Sequence, residues 1–309
     1  MAKTKRTENA ENAVKETKEE KIVKTEKSEK IVKTEKAPKK KKLGFALGCG
    51  GSRGVAHIGF LQAMEDAGIK PDYLTGCSMG AVVGGAYASG MTPKEMLEAV
   101  CKLKPLDLVD ITVRPGGLFD VRKMRKVLGK YLGDVTFDQL KIPFRCAAVD
   151  MITQSVVTFS EGSVADAVMA SACIPAVFKP VDDGERRLVD GGVLERVPVR
   201  QLKDMGANKI VAVDVLGRRS SGRKSASAFR MLIEVLGVMD NHLTDRRRKE
   251  NQRFTDLWLE PDLGDMSEYT FRHFQEAYDS GYRLGEEHAE EIRALVCGGK
   301  KDAEHEKVL

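Results

Sequence analysis

From Leu43 onward, short apolar runs alternate with segments of helical period, and glycine-rich turns join them. This alternation limits the fold more than any other feature, because strands interleaved with helices build a layered α/β body with a mostly parallel sheet. Leu43–Leu47 is a short apolar strand that runs into the glycine-rich Gly48–Gly54. Val55–Ala67 repeats apolar residues at helical spacing (Ile58, Leu61, Met64) and stops at Gly68, with Pro71 beyond it. Asp72–Cys77 reads as a second strand and Ala81–Ala88 as a small-residue helix ending at Gly90. Thr92-Pro93 has the character of an N-cap and first helical position, opening a helix to about Leu103. Strands are expected at Phe144–Val149, Ser155–Phe159 and Lys209–Val215, and a helix at Val164–Cys173. After Gly217 comes a basic, serine-rich break, RRSSGRKSAS, and then a mainly helical C-terminal part with one strand near Leu257–Leu259. The expected division is a tail at residues 1–42, a catalytic core at 43–217, and a C-terminal part at 218–309 packed on that core.

The tail is of low complexity: EKIVKTEK at Glu20–Lys27 recurs letter for letter at Glu29–Lys36. It has no aromatic residues and few apolar ones, too few to offset chain entropy, so it is expected to be disordered. It also carries the charge. Residues 1–42 hold 15 basic and 8 acidic residues, net +7, whereas the remaining 267 hold 36 and 38, net −2. A near-neutral body excludes a nucleic-acid-binding surface, which needs clustered cations. The tail's alternative role is weak adhesion to an anionic membrane. No apolar run approaches the ~20 residues of a membrane span. The six cysteines (Cys49, Cys77, Cys101, Cys146, Cys173, Cys297) lack disulfide or zinc spacing, so no metal or other cofactor is expected. A reducing cytoplasm fits such scattered thiols, with the inner face of the membrane as the place the tail would adhere.

Gly76-Cys77-Ser78-Met79-Gly80 is a G-x-S-x-G between a strand and a helix, the context of a nucleophile elbow. Ser78 would sit on a sharp, strained turn at a helix N-terminus, where the dipole favours developing negative charge. The loop GCGGSRG (Gly48–Gly54) fits neither G-x-x-x-x-G-K-[ST] nor G-x-G-x-x-G, so an oxyanion hole from the Gly50, Gly51 and Ser52 amides is the better reading. The Met79 amide is a further candidate donor. For Arg53, hydrogen bonds to carbonyls are favoured over a substrate phosphate. A serine hydroxyl needs a base. None of His57, His242, His273, His288 and His305 sits in a loop directly after a late strand, which leaves Asp190 in Val189-Asp190-Gly191-Gly192 as the candidate partner. Cys77 is expected to point back into the sheet. Met79, the Phe119 region and Phe178 are candidate walls of an acyl pocket, and RPGGLF (Arg114–Phe119) is a candidate mobile segment over the site.

Taken in order, the GCGGSRG loop, the GCSMG elbow, ASACIPAVF at Ala170–Phe178 and the D-G-G resemble the patatin-like phospholipase family, particularly its compact bacterial members. The resemblance runs from about Lys42 to Val215. It implies a three-layer α/β/α fold and a Ser–Asp dyad hydrolysing acyl esters of phospholipids, lysophospholipids or neutral lipids. Ser78 and Asp190 match the dyad, and Gly50, Gly51, Ser52 and Arg53 match the oxyanion loop. Cys49 departs from the pattern, where the family usually has glycine. A transacylase or thioesterase using the same dyad, and a non-catalytic membrane-surface module, are the alternatives.

Overall fold

The computed structural model describes residues 41–104, 107, 119–218, 228–268 and 272–297. The repeat-containing tail up to residue 40, the serine-rich break from residue 219 and residues 114–118 of RPGGLF lie outside them. In chain order the strands are β1 (Leu43–Leu47), β2 (Tyr73–Cys77), β3 (Phe144–Asp150), β4 (Ser155–Phe159), β5 (Val181–Asp182), β6 (Arg187–Asp190), β7 (Lys209–Val213) and β8 (Leu257–Leu259). The helices are α1 (Val55–Asp66), α2 (Met79–Ser89), α3 (Pro93–Lys102), α4 (Arg122–Leu132), α5 (Val164–Ser171), α6 (Val199–Met205), α7 (Ala228–Asn251) and α8 (Phe274–Cys297).

One sheet holds all eight strands in the order β5-β6-β3-β2-β1-β7-β8, with β4 pairing β3 off that path. The pairs among β3, β2, β1, β7 and β8 are parallel, and β4, β5 and β6 are antiparallel additions. The central strand β1 is buried at every position. Leu43, Phe45 and Leu47 face one core, shared with Phe60, Leu61 and Met64 of α1. Ala46 faces the other, with Val199 and Leu202 of α6. Both faces are therefore covered, which is why this parallel strand reads as an unbroken apolar run. Helix α3 starts on a capping box, Thr92 Oγ1 accepting from the Glu95 amide while Glu95 accepts from the Thr92 amide. Helix α8 lies along α1, Tyr282 Oη donating to Asp66 and Arg293 to the Ala67 carbonyl.

The register of β3 fixes the site. Cys77 pairs with Ala147 on β3, and Asp190 pairs with the next residue, Ala148. Because β4 occupies the opposite edge of β3 over the same residues, β2 and β6 must share one edge, end to end. The chain leaving β2 thus meets the chain ending β6 head on.

Candidate active site

Ser78 stands at that junction with φ 53° and ψ −124°, a backbone state that costs an L-residue energy and persists only where the surroundings impose it. Its neighbours impose it by contact. A Cβ on Gly80 would collide with the Leu47 carbonyl oxygen, and one on Gly76 with the Gly80 carbonyl, so both motif glycines are demanded by close backbone approach. Helix α2 begins at Met79, two residues earlier than the sequence pattern suggests, and its N-terminus therefore abuts the serine directly. The Ser78 amide donates to Ser171 Oγ (3.0 Å), and Ser171 Oγ donates to the Ala147 carbonyl (2.6 Å). Ser171 of α5 thereby ties the elbow to β3. Its contact with the elbow spans 93 positions, which no local pattern reports.

Asp190 is buried, as is Ser78. Burial pushes its pKa up to about 6, while hydrogen bonds from the Ser78 hydroxyl, the Gly192 amide and the Cys49 thiol pull it back down. Asp190 Oδ1 accepts from the Gly192 amide (2.8 Å) and from Cys49 Sγ (3.8 Å). A Cβ on Gly191 would come within 2.5 Å of Cys77 Sγ, so the D-G-G lets the backbone pass beneath the elbow. Cys49, the departure from the family pattern, thus holds the carboxylate with a thiol that only its position in the folded loop brings there.

Cys77 Sγ donates to the Ala147 carbonyl (3.8 Å), and burial raises both its pKa and that of Cys49. Among the described residues one group of potential metal ligands occurs, Cys49, Cys77 and Asp190, with ligand atoms within 4.8 Å of one another.

The glycine loop presents its four predicted residues unequally. The Ser52 amide donates to the Glu268 carbonyl (2.9 Å) and the Arg53 amide to the Gly50 carbonyl (3.0 Å), whereas the Gly50 and Gly51 amides have no acceptor among the described residues. Arg53 Nε donates to the Val215 carbonyl (2.8 Å) and Nη1 to that of Met266 (3.2 Å). Ser52 Oγ adds a bond to the Ser267 carbonyl (2.9 Å). The segment 266–268 therefore straps the loop from outside, a contact invisible in the sequence.

The described histidines are engaged elsewhere. His57 is fully buried, its Nε2 bonded to the Gly48 carbonyl (2.8 Å), and burial lowers its pKa to about 4, so it is a neutral brace for the glycine loop. His273 and His288 pair with Glu276 and Glu291 on α8, His242 is exposed on α7, and His305 lies outside the described residues.

Ser78 borders a cavity of about 360 Å³. Its walls include Val55 and Ile58 of α1, Val82 of α2, Met96 of α3 and Leu128 of α4, and no lysine or arginine lines it among the described residues. Met79 and Phe178 line it as anticipated; Phe119 instead pairs with Phe178 through backbone bonds to Val177 and Lys179.

A family model described as patatin-like phospholipase matches residues 45–203, from β1 through the elbow and Asp190 into α6. The chain belongs to the patatin-like phospholipase family. Its patatin-like region is similar to an uncharacterised NTE-family protein of Mycobacterium tuberculosis, 32% identical over 187 residues, covering 60% of this chain and 52% of the relative. A longer alignment joins it to the neuropathy target esterase sws of Drosophila melanogaster, 26% identical, covering 81% of this chain and 20% of that protein. The lysophospholipase nte1 of Emericella nidulans is 25% identical over 82% of this chain and 18% of its own length. The chain thus spans about half the length, or less, of the curated relatives it matches. Among solved structures, VipD from Legionella pneumophila shares the patatin-like architecture with a TM-score of 0.50 at 13% identity, covering 84% of this chain and 68% of VipD. Among the described residues no helix is long and apolar enough to cross a membrane.

Proposed function

We propose that the chain is a serine acyl hydrolase in which Ser78 is the nucleophile and Asp190 its proton acceptor, acting on ester bonds of (lyso)phospholipids or other acyl lipids. The observation that carries this reading is the end-to-end meeting of β2 and β6, which sets a buried carboxylate against a strained serine beside an apolar cavity. The relatives' names, an esterase and a lysophospholipase, support the ester-lipid substrate class.

Asp190 accepts the Ser78 proton as the hydroxyl attacks the ester carbonyl. The developing oxyanion is met by the Gly50 and Gly51 amides; each such donor is worth about 3 kcal/mol to the transition state. The Ser52 amide joins them only if the Glu268 carbonyl withdraws, and Arg53 serves by holding the loop to its surroundings. The alcohol leaves with the proton that Asp190 holds, and water then attacks the acyl-enzyme to release the fatty acid. The acyl chain occupies the cavity, whose lack of cations leaves the head group outside. The six scattered cysteines, without disulfide or zinc spacing, support a reducing, cytoplasmic setting.

Fatty-acid release from lysophosphatidylcholine by the wild type, Ser78→Ala and Asp190→Asn proteins tests the reading. Both variants should lose release while keeping the wild-type circular dichroism spectrum. Full turnover by Asp190→Asn would overturn the dyad. Addition of an acceptor alcohol separates hydrolysis from transacylation by the product formed.

A further inference from the structure

The cavity beside Ser78 runs the length of α2. Met79, Val82, Val83 and Ala86 line it at i, i+3, i+4 and i+7, one face of that helix, and α4 lines it with the same spacing from Met124 to Leu132. Ser78 stands at the N-terminus of α2 and Met91 lies just past its C-terminus, and both border the cavity. The 11 residues of α2 set these two ends about 16 Å apart. Half the hydrocarbon thickness of a bilayer, the span of one membrane acyl chain, is about 15 Å.

The far end is closed by residues that the fold holds in place. Gly90, at φ 100°, takes the left-handed turn that ends α2. Its amide donates to the Tyr87 carbonyl (2.9 Å) and the Met91 amide to that of Ala86 (3.0 Å). These are the two bonds of a Schellman turn, which folds the residue after the glycine back onto the last turn of the helix. Met91 is thereby laid across the end of the cavity-lining face. Tyr131 and the buried Leu132 meet it there from the last turn of α4. The chain leaving α4 is tied to the start of α5, the Val164 amide donating to the Val135 carbonyl (3.0 Å) and Thr136 bridging to Ser163. A Cβ on Gly85 would press on Val168 and Val164, so α5 in turn packs directly on the C-terminal half of α2.

Beyond this floor the surroundings change. Met91, Ala99, Tyr131 and Leu132 also line a second hollow, on the outer side, whose other walls include the exposed Glu95, Glu98 and Lys102. One layer of side chains separates the apolar chamber from a charged, solvated surface. A chain that ends above the floor has all its methylenes buried. A longer one must push Met91 or Leu132 aside and carry its terminal methyl among carboxylates and water, where the gain from burial is lost.

We propose that Met91, Tyr131 and Leu132 are the specificity-determining floor of the acyl chamber, which accepts a chain of membrane-lipid length and discriminates against longer ones. The proposal rests on the acyl-ester reading and deepens it by naming the chain class. Its test is a competition. Equimolar lysophosphatidylcholines carrying lauroyl, palmitoyl and lignoceroyl chains are presented together in detergent micelles to the full-length protein, and the fatty acids released are measured by mass spectrometry. The wild type should release palmitate about tenfold faster than lignocerate. Leu132→Ala opens the floor into the outer hollow and should raise lignocerate relative to palmitate by about tenfold. Met91→Ala, at a half-buried position, should act in the same direction. Ala99→Phe raises the floor from α3 and should lower palmitate relative to laurate. Because the substrates compete for the same molecules, each ratio is independent of the fraction of protein that is folded. Displacement of a fluorescent fatty acid from Ser78→Ala by free palmitate and by lignocerate reads the chamber without catalysis. Palmitate should displace at the lower concentration, and adding Leu132→Ala should erase the difference, so failure of the hydrolase reading would leave this result standing. A wild type that handles lignocerate as well as palmitate would overturn the proposal, as would wild-type ratios in both Leu132→Ala and Met91→Ala.

Discussion

Replacing Asp190 by asparagine removes the cost of burying a carboxylate as well as its chemistry. The group titrates at about 6 in the folded chain and at 3.8 when free, and burial is the main cause. A folded-state pKa above the unfolded one means that the native form holds its proton more tightly. The associated stability is complete below about pH 4 and is lost as pH rises through 6. Two pKa units correspond to about 3 kcal/mol. Asparagine is neutral throughout and retains an oxygen for the Gly192 amide, so the variant escapes the loss. Asp214 and Glu195, whose pKa values burial also raises, titrate in both proteins and cancel in the comparison. Urea denaturation at several pH values should find the two proteins nearly equal at pH 4 and the variant more stable by about 3 kcal/mol at pH 8, with unchanged denaturant slope. Equal stability of the two at pH 8 would refute the reasoning, because the carboxylate would then carry no burial cost.

The same titration gives kcat/KM for a p-nitrophenyl ester an acid limb near pH 6, since protonated Asp190 cannot accept the serine proton. In Cys49→Gly the limb should move to higher pH, because the thiol helps to hold the carboxylate's pKa down. Gly80→Ala drives a Cβ into the Leu47 and Gly48 carbonyls at the end of buried β1 and should cost about 3 kcal/mol or more in chemical denaturation. Gly68→Ala, at φ +70° in open space, should cost only about 1 kcal/mol. Ala86→Phe fills the cavity and should lower kcat/KM for long-chain esters relative to short-chain ones by roughly tenfold.

What could be read from the sequence follows the range of the interactions. The apolar run Leu43–Leu47 is legible because both its faces are buried, and the Thr92 cap because it is closed within four residues. The elbow around Ser78 is legible because close backbone approach demands glycines two positions away on either side. For Asp190 the sequence offers only residue type and the poverty of histidine candidates, and the strand β6 that carries it has only four residues and reads as a turn. Helix α4 went unread because five basic residues mask the period of Met124, Leu128 and Leu132, although that face closes the cavity. The contacts that tune the site, Ser171 on the Ser78 amide, Cys49 on Asp190 and Glu268 on Ser52, span 93, 141 and 216 positions, and only the fold brings them together. The Glu268 contact also shortens the expected oxyanion loop, leaving two of its four residues with amides free to donate.

The central claim is that Ser78 is a nucleophile activated by Asp190. Intact-protein mass spectrometry after exposure to a fluorophosphonate, with peptide mapping of the adduct, tests it most directly. One adduct per chain on Ser78, absent in Ser78→Ala and strongly slowed in Asp190→Asn, is the predicted result. Labelling that survives Ser78→Ala, or proceeds at the wild-type rate in Asp190→Asn, would contradict it.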